Sequence, residues 1–481
     1  MKKILPVVIV CVLMISESQA QFTRFIIKFK HKGATTFTLA DPSAYLSSRA
    51  IARRTKYNIA IDSTDLPVPV SYIAQIKNIP GVIVLNSSRW QNAITIDTTD
   101  PAALAAINAL SFVQGSSGIA ARMNNNTPRH EKYKEVTIAP LTPVQAKTQG
   151  TEGDFFNYGA DSYSEIHLQK GEFLHNIGLR GQNMQIAILD GGFFNYTTLD
   201  AMDSIITNGQ VLSTWDFVDR EASVVEDHSH GMMCLSTIAA NIPGQFTGKA
   251  PKAGFYLFRT ENVATEFPIE EFNWVCAAER ADSAGADIIS SSVGYNTFDN
   301  TSLDHSYSDM NGDKTICTIG ADLAARKGLL IFQSVGNYGS DSWHYLIAPA
   351  DGDSVVAVGA VNAAGALWSG SSYGPSFDGR IKPDMASVGL NALVQATNNT
   401  VGVGVGTSFA CPNMAGLGTC LWQGFPEFNN MRIIRALKEA GSKYTTPDDR
   451  VGYGIPDMKA AFTSLLIEYA TSTATTVSAC M

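Results

Sequence analysis

The sequence predicts an α/β fold, a mostly parallel sheet with helices on both faces, preceded by a small α+β domain. From residue 184 onward, short apolar runs alternate with longer helical patterns, which is typical of parallel strands joined by helical crossovers. A length of 481 residues exceeds a usual single domain, so two folded units are expected. The hydrophobic fraction of 45% and the charged fraction of 16% indicate a globular chain.

Residues 1–20 have the pattern of a secretory signal peptide. Lys2 and Lys3 precede an apolar run at 4–15, and Ser18-Gln19-Ala20 supplies small residues for cleavage. The run is too short to span a bilayer comfortably, and no later stretch is long and apolar enough. We therefore expect an exported chain, secreted or held in the periplasm or at the cell surface. A buried N-terminal helix is the alternative.

Residues 21–122 are predicted to form a βαββαβ unit, the order of a ferredoxin-like domain, with a basic insert at 46–56. Its strands are predicted at 25–29, 82–85, 93–96 and from 112, and its helices at 70–78 and 101–110. The segment carries 11 Lys and Arg against 5 Asp and Glu, whereas 123–481 carries 22 against 38. Opposite charge favours docking of the two parts and predicts that salt weakens it. A nucleic-acid partner is not expected, since the whole chain has a net charge of −9.

Residues 123–154 are a linker by composition, and 155–481 form the larger domain. Its strands are predicted at 184–189, 255–259, 288–291, 330–335 and 355–358, and its helices at 230–240, 269–284, 316–327, 408–423 and 431–440. Ligands of such sheets bind at the carboxyl ends of strands, where Asp190, Ser292 and Asn337 would lie. The tail after residue 469 is rich in Thr, Ser and Ala, and no further domain is predicted there.

A serine at the start of a predicted helix, with a carboxylate and a histidine upstream, indicates acyl-transfer chemistry. Ser408 follows a glycine-rich approach at 402–406, and Pro412 stands where the first turn of a helix tolerates it. Asp190 ends an apolar strand, and His230 heads an apolar segment. A serine hydroxyl needs a base to remove its proton, and that base needs an orienting carboxylate.

These motifs resemble those of the subtilisin-like serine peptidases, the subtilases, whose order Asp, His, Ser the chain shares. The resemblance covers about residues 155–465 and is carried by the stretches 184–192, 230–240, 334–337, 382–384 and 406–416. Four positions depart from the usual family residues without removing a catalytic group. The family usually has Met at Phe409, His at Asn413, Thr or Ser at Gly191, and Gly-Thr at Gly231-Met232.

The resemblance implies a serine endopeptidase with named roles. Ser408 would attack a peptide carbonyl, His230 would accept and return the proton, and Asp190 would orient the imidazolium. Asn337 would form the oxyanion hole together with the N–H of Ser408. The backbone of Ser292-Val293-Gly294 would pair with an extended polypeptide substrate, so the sequence does not give the cleavage preference.

The resemblance also implies a precursor. Residues 21–122 would be an inhibitory and folding-assisting propeptide, 123–154 would contain the processing site, and 155–481 would be the peptidase. The expected partners are polypeptide substrates and the chain's own propeptide. Two alternatives stay open: a catalytically silent subtilase fold that binds peptides, and a narrow processing protease for one partner precursor. His228 is an alternative base, but His230 is preferred because it precedes a glycine at the head of the helical run.

No cofactor is required by this chemistry, and no metal ligands are assigned. Asp309, Asn311 and Asp313 alternate in an acidic loop but lack the EF-hand spacing, so a solvated loop is preferred and a structural calcium is not located. Cys11 lies in the signal segment, and the pairing of the other cysteines is open. Cys411 and Cys420 would face opposite sides of one helix and are not expected to pair. Cys234 and Cys276 are interpreted as core thiols.

Overall fold

A computed structural model of the chain describes residues 22–33, 35–121, 132–133, 139–140 and 154–479. The predicted signal peptide at 1–20 and most of the predicted linker lie outside the described residues. In the described part of the chain, no helix is both long and apolar enough to cross a membrane.

The smaller unit is a four-stranded antiparallel sheet covered by helices. Its elements are β1 (Phe22–Phe29), α1 (Ser48–Lys56), α2 (Val70–Lys77), β2 (Ile83–Ser88), β3 (Ala93–Asp97), α3 (Pro101–Asn108) and β4 (Val113–Ala121). The sheet order β2-β3-β1-β4 confirms the ferredoxin-like prediction. The basic insert forms α1, a helix that the sequence analysis did not predict. Its N-cap Ser47 accepts a hydrogen bond from the N–H of Ala50.

The larger unit contains the remaining strands and helices. The strands are β5 (Ala139–Pro140), β6 (Gln185–Asp190), β7 (Val211–Asp216), β8 (Asn241–Ile242), β9 (Phe246–Thr247), β10 (Gly254–Arg259), β11 (Ile288–Ser291), β12 (Leu330–Ser334), β13 (Val355–Val361), β14 (Met385–Val388), β15 (Leu390–Gln395) and β16 (Val401–Val405). The helices are α4 (Ala160–His167), α5 (Gly171–Asn176), α6 (Asp203–Thr207), α7 (His230–Ala239), α8 (Ile269–Ala284), α9 (Ile316–Arg326), α10 (Thr407–Gly424), α11 (Asn430–Glu439) and α12 (Met458–Ala479).

Seven of these strands form one parallel sheet in the order β14-β13-β12-β11-β6-β10-β7. Alternate residues of β6 supply two separate cores. Ile186 and Ile188 pack in the core that includes residues of α7 and α10, whereas Ala187 and Leu189 pack in the core that includes residues of α8 and α9. The sheet is therefore covered on both faces, as predicted. Because β6 lies between β11 and β10, its carboxyl end opens at the centre of one sheet edge.

The smaller unit docks on α8 through buried ion pairs. Asp282 of α8 accepts hydrogen bonds from Arg53 (2.6 Å), Arg54 (2.9 Å) and Arg89 (3.0 Å). Their side chains are at most 8% exposed. Other ion pairs, such as Arg49 with Asp287, also cross this contact, but three arginines converge on one buried carboxylate. Since salt screens buried pairs weakly, salt should slow association more than it weakens the docked state.

Replacing the shared carboxylate tests the energetic weight of this contact. We expect Asp282→Ala to destabilise the docked unit by about 3–5 kcal/mol, because the change leaves buried guanidinium groups without their common partner. Native-state hydrogen exchange of β2 and β3 in the full-length chain measures this loss. The control Asp97→Ala removes a half-exposed pair with Arg24 and should cost about 0–1 kcal/mol. Equal protection in the two variants would contradict the assignment.

Candidate active site

The carboxyl edge of the sheet brings Asp190 and His230 into contact. Asp190 is the last residue of β6, and His230 is the first residue of α7. His230 Nδ1 lies 2.7 Å from Asp190 Oδ1, and both side chains are fully buried. The same oxygen accepts a hydrogen bond from the N–H of Gly191 at 2.7 Å. An ionised Asp190 can only accept, so Nδ1 carries the proton and Nε2 is free to act as a base.

Ser408, in the first turn of α10, lines a cleft at this edge of the sheet, but the serine–histidine hydrogen bond is not closed in this structure. His230 Nε2 is buried and has no hydrogen-bond partner among the described residues. Among the described residues, the one hydrogen-bond contact of Ser408 Oγ is a long one of 3.5 Å to the carbonyl of Ser292. The ring of Phe409, the next residue, lies 6.1 Å from the His230 ring. Catalytic hydrogen bonds are often long before substrate binds, so this geometry is compatible with a serine–histidine pair.

Pro412 fixes the position of Ser408 in a way the sequence analysis did not predict. It lies inside α10, past the first turn where it was expected. Because proline has no N–H, the carbonyl of Ser408 loses its usual helical donor. Ser292 Oγ donates to that carbonyl at 2.8 Å, and Cys234 Sγ donates to it at 3.3 Å. The nucleophile's backbone is thereby tied to the end of β11 and to α7.

The side-chain amide of Asn337 is held in one orientation by hydrogen bonds to its oxygen. Its Oδ1 accepts from the backbone N–H of Thr407 at 2.9 Å and from Thr407 Oγ1 at 2.8 Å. The amide nitrogen Nδ2 is then the group that can donate, and Asn337 lines the cleft together with Ser408. A fixed amide donor beside a serine suits stabilisation of negative charge on a carbonyl oxygen.

Ser292, Val293 and Gly294 directly follow β11 and line the same cleft, which has a volume of about 750 Å³. The carbonyl of Val293 accepts a hydrogen bond from Gln333 Nε2 at 2.5 Å, which holds this segment against β12. The segment is therefore placed where an extended chain could run past Ser408. Five of the seven residues predicted for the site line this cleft. The other two, Asp190 and His230, contact each other next to it, where the His230 ring stacks on Tyr133.

Three of the four departures from the usual family residues are buried side chains, those of Phe409, Asn413 and Met232. Phe409 is fully buried against Gly404, where a Cβ would fall 2.4 Å from its ring. Asn413 donates from Nδ2 to the carbonyl of Val388 at 2.8 Å. Gly231 is itself the usual family residue: a Cβ there would meet the Cβ of Asp190 at 2.7 Å, so the close approach of α7 to β6 requires glycine.

His228, the alternative base, is half-buried rather than solvent-exposed. Its Nδ1 accepts a hydrogen bond from the N–H of His230 at 3.2 Å. Burial lowers its pKa, and the nearby His230 lowers it further. The histidine that bonds to the buried carboxylate is His230.

Two residues of the predicted linker lie in the cleft, which the sequence analysis missed. Lys132 Nζ is 2.9 Å from Glu261, 3.1 Å from Glu266 and 2.7 Å from Glu270. The ring of Tyr133 stacks on the His230 ring, with the centroids 4.0 Å apart. The sequence offered two signals, a basic–aromatic pair in a polar linker and three glutamates at 261–270. Nothing in the sequence indicates that these two segments contact each other.

Other acidic clusters in the described part of the chain are occupied by protein groups. Arg259 contacts Asp216, Asp219 and Asp227 at 2.6, 2.6 and 2.8 Å. In the acidic loop, Asp309 accepts from the N–H of Ser306 at 2.8 Å. These contacts locate no calcium, and a structural calcium stays unassigned. The five cysteines of the described residues, Cys234, Cys276, Cys317, Cys411 and Cys420, are buried thiols without disulfides.

Comparison with known proteins agrees with this architecture. A sequence model of the subtilase family matches residues 181–454, and a model of the peptidase S8 propeptide domain of Bacteroidota matches residues 24–135. The chain belongs to the subtilase family. It is therefore a serine-type endopeptidase with an N-terminal propeptide domain, and the propeptide match covers the smaller unit from residue 24 onward.

Individual relatives are distant. The chain is 27% identical over 296 residues to a subtilisin of Bacillus pumilus. The matched region covers 61% of this chain and 95% of that relative. It is 26% identical over 323 residues to serine protease AprX of Bacillus subtilis, which covers 61% of this chain and 69% of that relative. The crystal structure of MycP1 from Mycobacterium smegmatis superposes with a TM-score of 0.51 at 19% identity, over 68% of this chain and 88% of that one. That likeness supports the fold.

Proposed function

We propose that this subtilase is exported and hydrolyses peptide bonds through Asp190, His230 and Ser408. The observation that carries the proposal is the buried 2.7 Å contact between His230 Nδ1 and Asp190, which leaves Nε2 unpartnered beside the cleft that Ser408 lines. A buried imidazole nitrogen without a partner is costly in a purely structural site and is what a general base requires.

The steps follow from the positions of these groups. Ser408 Oγ attacks the substrate carbonyl while His230 Nε2 takes its proton, and Asp190 stabilises the imidazolium. Asn337 Nδ2 and the N–H of Ser408 donate to the developing oxyanion. The imidazolium then protonates the leaving amine, and water releases the acyl group by the same route in reverse. None of these steps needs a cofactor.

The precursor is proposed to restrain its own cleft. Residues 1–20 would direct export, and the unit at 21–122 would be removed together with the part of the linker that fills the cleft. Lys132 and Tyr133 fall within the propeptide match, which ends at residue 135. Ala139 and Pro140 instead pair with Gly402 and Val403 of β16 in the larger unit. We place the processing bond between Tyr133 and Ala139, within the linker of 123–154.

A serine-directed probe tests the nucleophile. We expect a fluorophosphonate to label the processed wild-type protein once, and Ser408→Ala to abolish the label and peptide hydrolysis, because the probe and the substrate both react with the hydroxyl that the triad would activate. Intact-mass spectrometry measures the adduct. The control Ser302→Ala, at an exposed serine, should label normally. A labelled Ser408→Ala protein would contradict the triad, and an unlabelled but processed wild type would favour a catalytically silent peptide-binding protein.

The oxyanion hole is tested separately. Loss of one preorganised donor reduces kcat by about 10²–10³-fold, and we expect this reduction for Asn337→Ala with a much smaller change in KM. Steady-state kinetics on a quenched-fluorescence peptide provides the measurement. Because Asn337 also binds Thr407, the variant's melting temperature must match that of the wild type within a few degrees. An unchanged kcat in such a folded variant would remove Asn337 from the mechanism.

A further inference from the structure

The cleft holds a basic side chain in a closely fitted site. The ammonium of Lys132 contacts three carboxylates, those of Glu261, Glu266 and Glu270, at 2.7–3.1 Å. The three glutamate side chains are 2%, 7% and 1% exposed. An ammonium has three hydrogens, so each carboxylate can accept one of them. This is a complete set of partners for a lysine ammonium, whereas an arginine is longer and would present its donors as a planar fork in different positions.

The glutamates are held in place by the body of the larger unit. Glu261 accepts hydrogen bonds from Tyr295 at 2.6 Å and from Thr260 Oγ1 at 2.8 Å. Glu270 accepts from the N–H groups of Asn262 at 2.8 Å and Phe267 at 3.2 Å. Glu266 forms its side-chain contact with Lys132 alone among the described residues. Two of the three glutamates, Glu261 and Glu270, are therefore held independently of the linker.

The cluster has no second cation. Among the described residues, Lys132 is the one basic group that contacts these glutamates, in contrast to Asp216, Asp219 and Asp227, whose partner Arg259 belongs to β10. Burial raises the pKa of Glu270 to about 8 even beside the ammonium, and it raises the pKa of Glu266 as well. Removal of Lys132 would leave buried carboxyl groups that gain by meeting another ammonium.

The neighbouring position is shaped for an aromatic ring. Tyr133 stacks on His230 at 4.0 Å and on His228 at 4.9 Å. A Cβ at Gly191 would fall 2.6 Å from Tyr133 Oη and 3.2 Å from ring carbons, so the absence of a side chain at 191 provides the space. Tyr133 Oη is buried without a hydrogen-bond partner among the described residues. The pocket thus binds the ring and makes no use of the hydroxyl.

We infer that these two pockets set substrate specificity, and that the peptidase selects polypeptides in which a lysine is followed directly by an aromatic residue. Lys132 and Tyr133 occupy the pockets in the precursor as an internal copy of such a substrate. The inference rests on the proposed function, because it concerns the same cleft and the same reaction.

The chain's own sequence supplies the test substrates. A quenched-fluorescence peptide of residues 128–139 is compared with the same peptide carrying Lys132→Met, Lys132→Arg, Tyr133→Ala or Tyr133→Phe, using the processed wild-type protein. We expect kcat/KM to fall about 10–100-fold for Lys132→Met, the range for loss of a charge-assisted hydrogen-bonding group, and to fall for Lys132→Arg as well. Tyr133→Ala should also reduce kcat/KM at least about 10-fold, and Tyr133→Phe should not.

Enzyme variants assign each preference to its pocket. Glu266→Gln is the mildest change at the lysine pocket. It should reduce the ratio of kcat/KM for the unchanged peptide to kcat/KM for the Lys132→Met peptide about 10-fold or more, and it should leave the aromatic preference intact. Gly191→Thr should remove the aromatic preference and keep the lysine preference. Asp353→Asn, at a carboxylate outside the cleft, is the control and should change neither. Melting temperature and probe labelling confirm that each variant is folded.

The outcomes separate this inference from the proposed function. A wild-type protein that takes the fluorophosphonate but hydrolyses the Lys and Met peptides equally overturns the inference and leaves the function standing. A protein that neither labels nor hydrolyses any peptide overturns the function itself. Calcium-dependent stability that is lost in Glu266→Gln, together with equal hydrolysis of the two peptides, would assign the glutamates to a metal ion and contradict the lysine pocket.

Discussion

The arrangement of the whole site depends on burying Asp190 beside His230. A carboxylate taken out of water must be compensated by hydrogen bonds, and this one receives the N–H of Gly191 and the imidazole Nδ1–H. That geometry is available because β6 runs in the middle of a parallel sheet, and its last residue lies in space next to the first residue of α7. Gly231 lets the helix approach closely enough for the contact. The pair fixes the tautomer of His230, and the tautomer decides which nitrogen can act on a serine.

The nucleophile is held by a compensated defect. Pro412 removes one helical hydrogen bond. The buried carbonyl of Ser408 accepts instead from Ser292, which follows β11 and lines the cleft, and from Cys234 of α7, the helix that carries His230. The same elements therefore position substrate, base and nucleophile. The linker residues Lys132 and Tyr133 contact the same cleft. The Lys132 ammonium neutralises buried carboxylates, and the Tyr133 ring covers His230. Restraint of the precursor and selection of substrate would then depend on the same contacts.

Much of this could be predicted from the sequence, for identifiable reasons. Helix α8 and strand β11 were predicted with the bounds observed, and Gly285, a glycine in the left-handed conformation that ends the helix, stands between them. Helix α1 was missed because its buried residues include Arg53 and Arg54, whose partners lie on α8. The edge strands β7 and β14 and the Thr- and Ser-rich end of α12 lacked a clear pattern. Lys132 and Glu261 are far apart in sequence, and only the folded sheet reveals that they meet.

The central claim is that the chain is a serine peptidase whose own linker fills its active site until it is cut. Intact mass and N-terminal sequence of the purified wild-type protein and of Ser408→Ala test this most directly. The account predicts a wild-type chain that begins between Lys134 and Ala139 and a Ser408→Ala chain that keeps the propeptide. A Ser408→Ala chain processed at the same bond in a host without other proteases, or a wild-type chain that begins before Lys132, would contradict it.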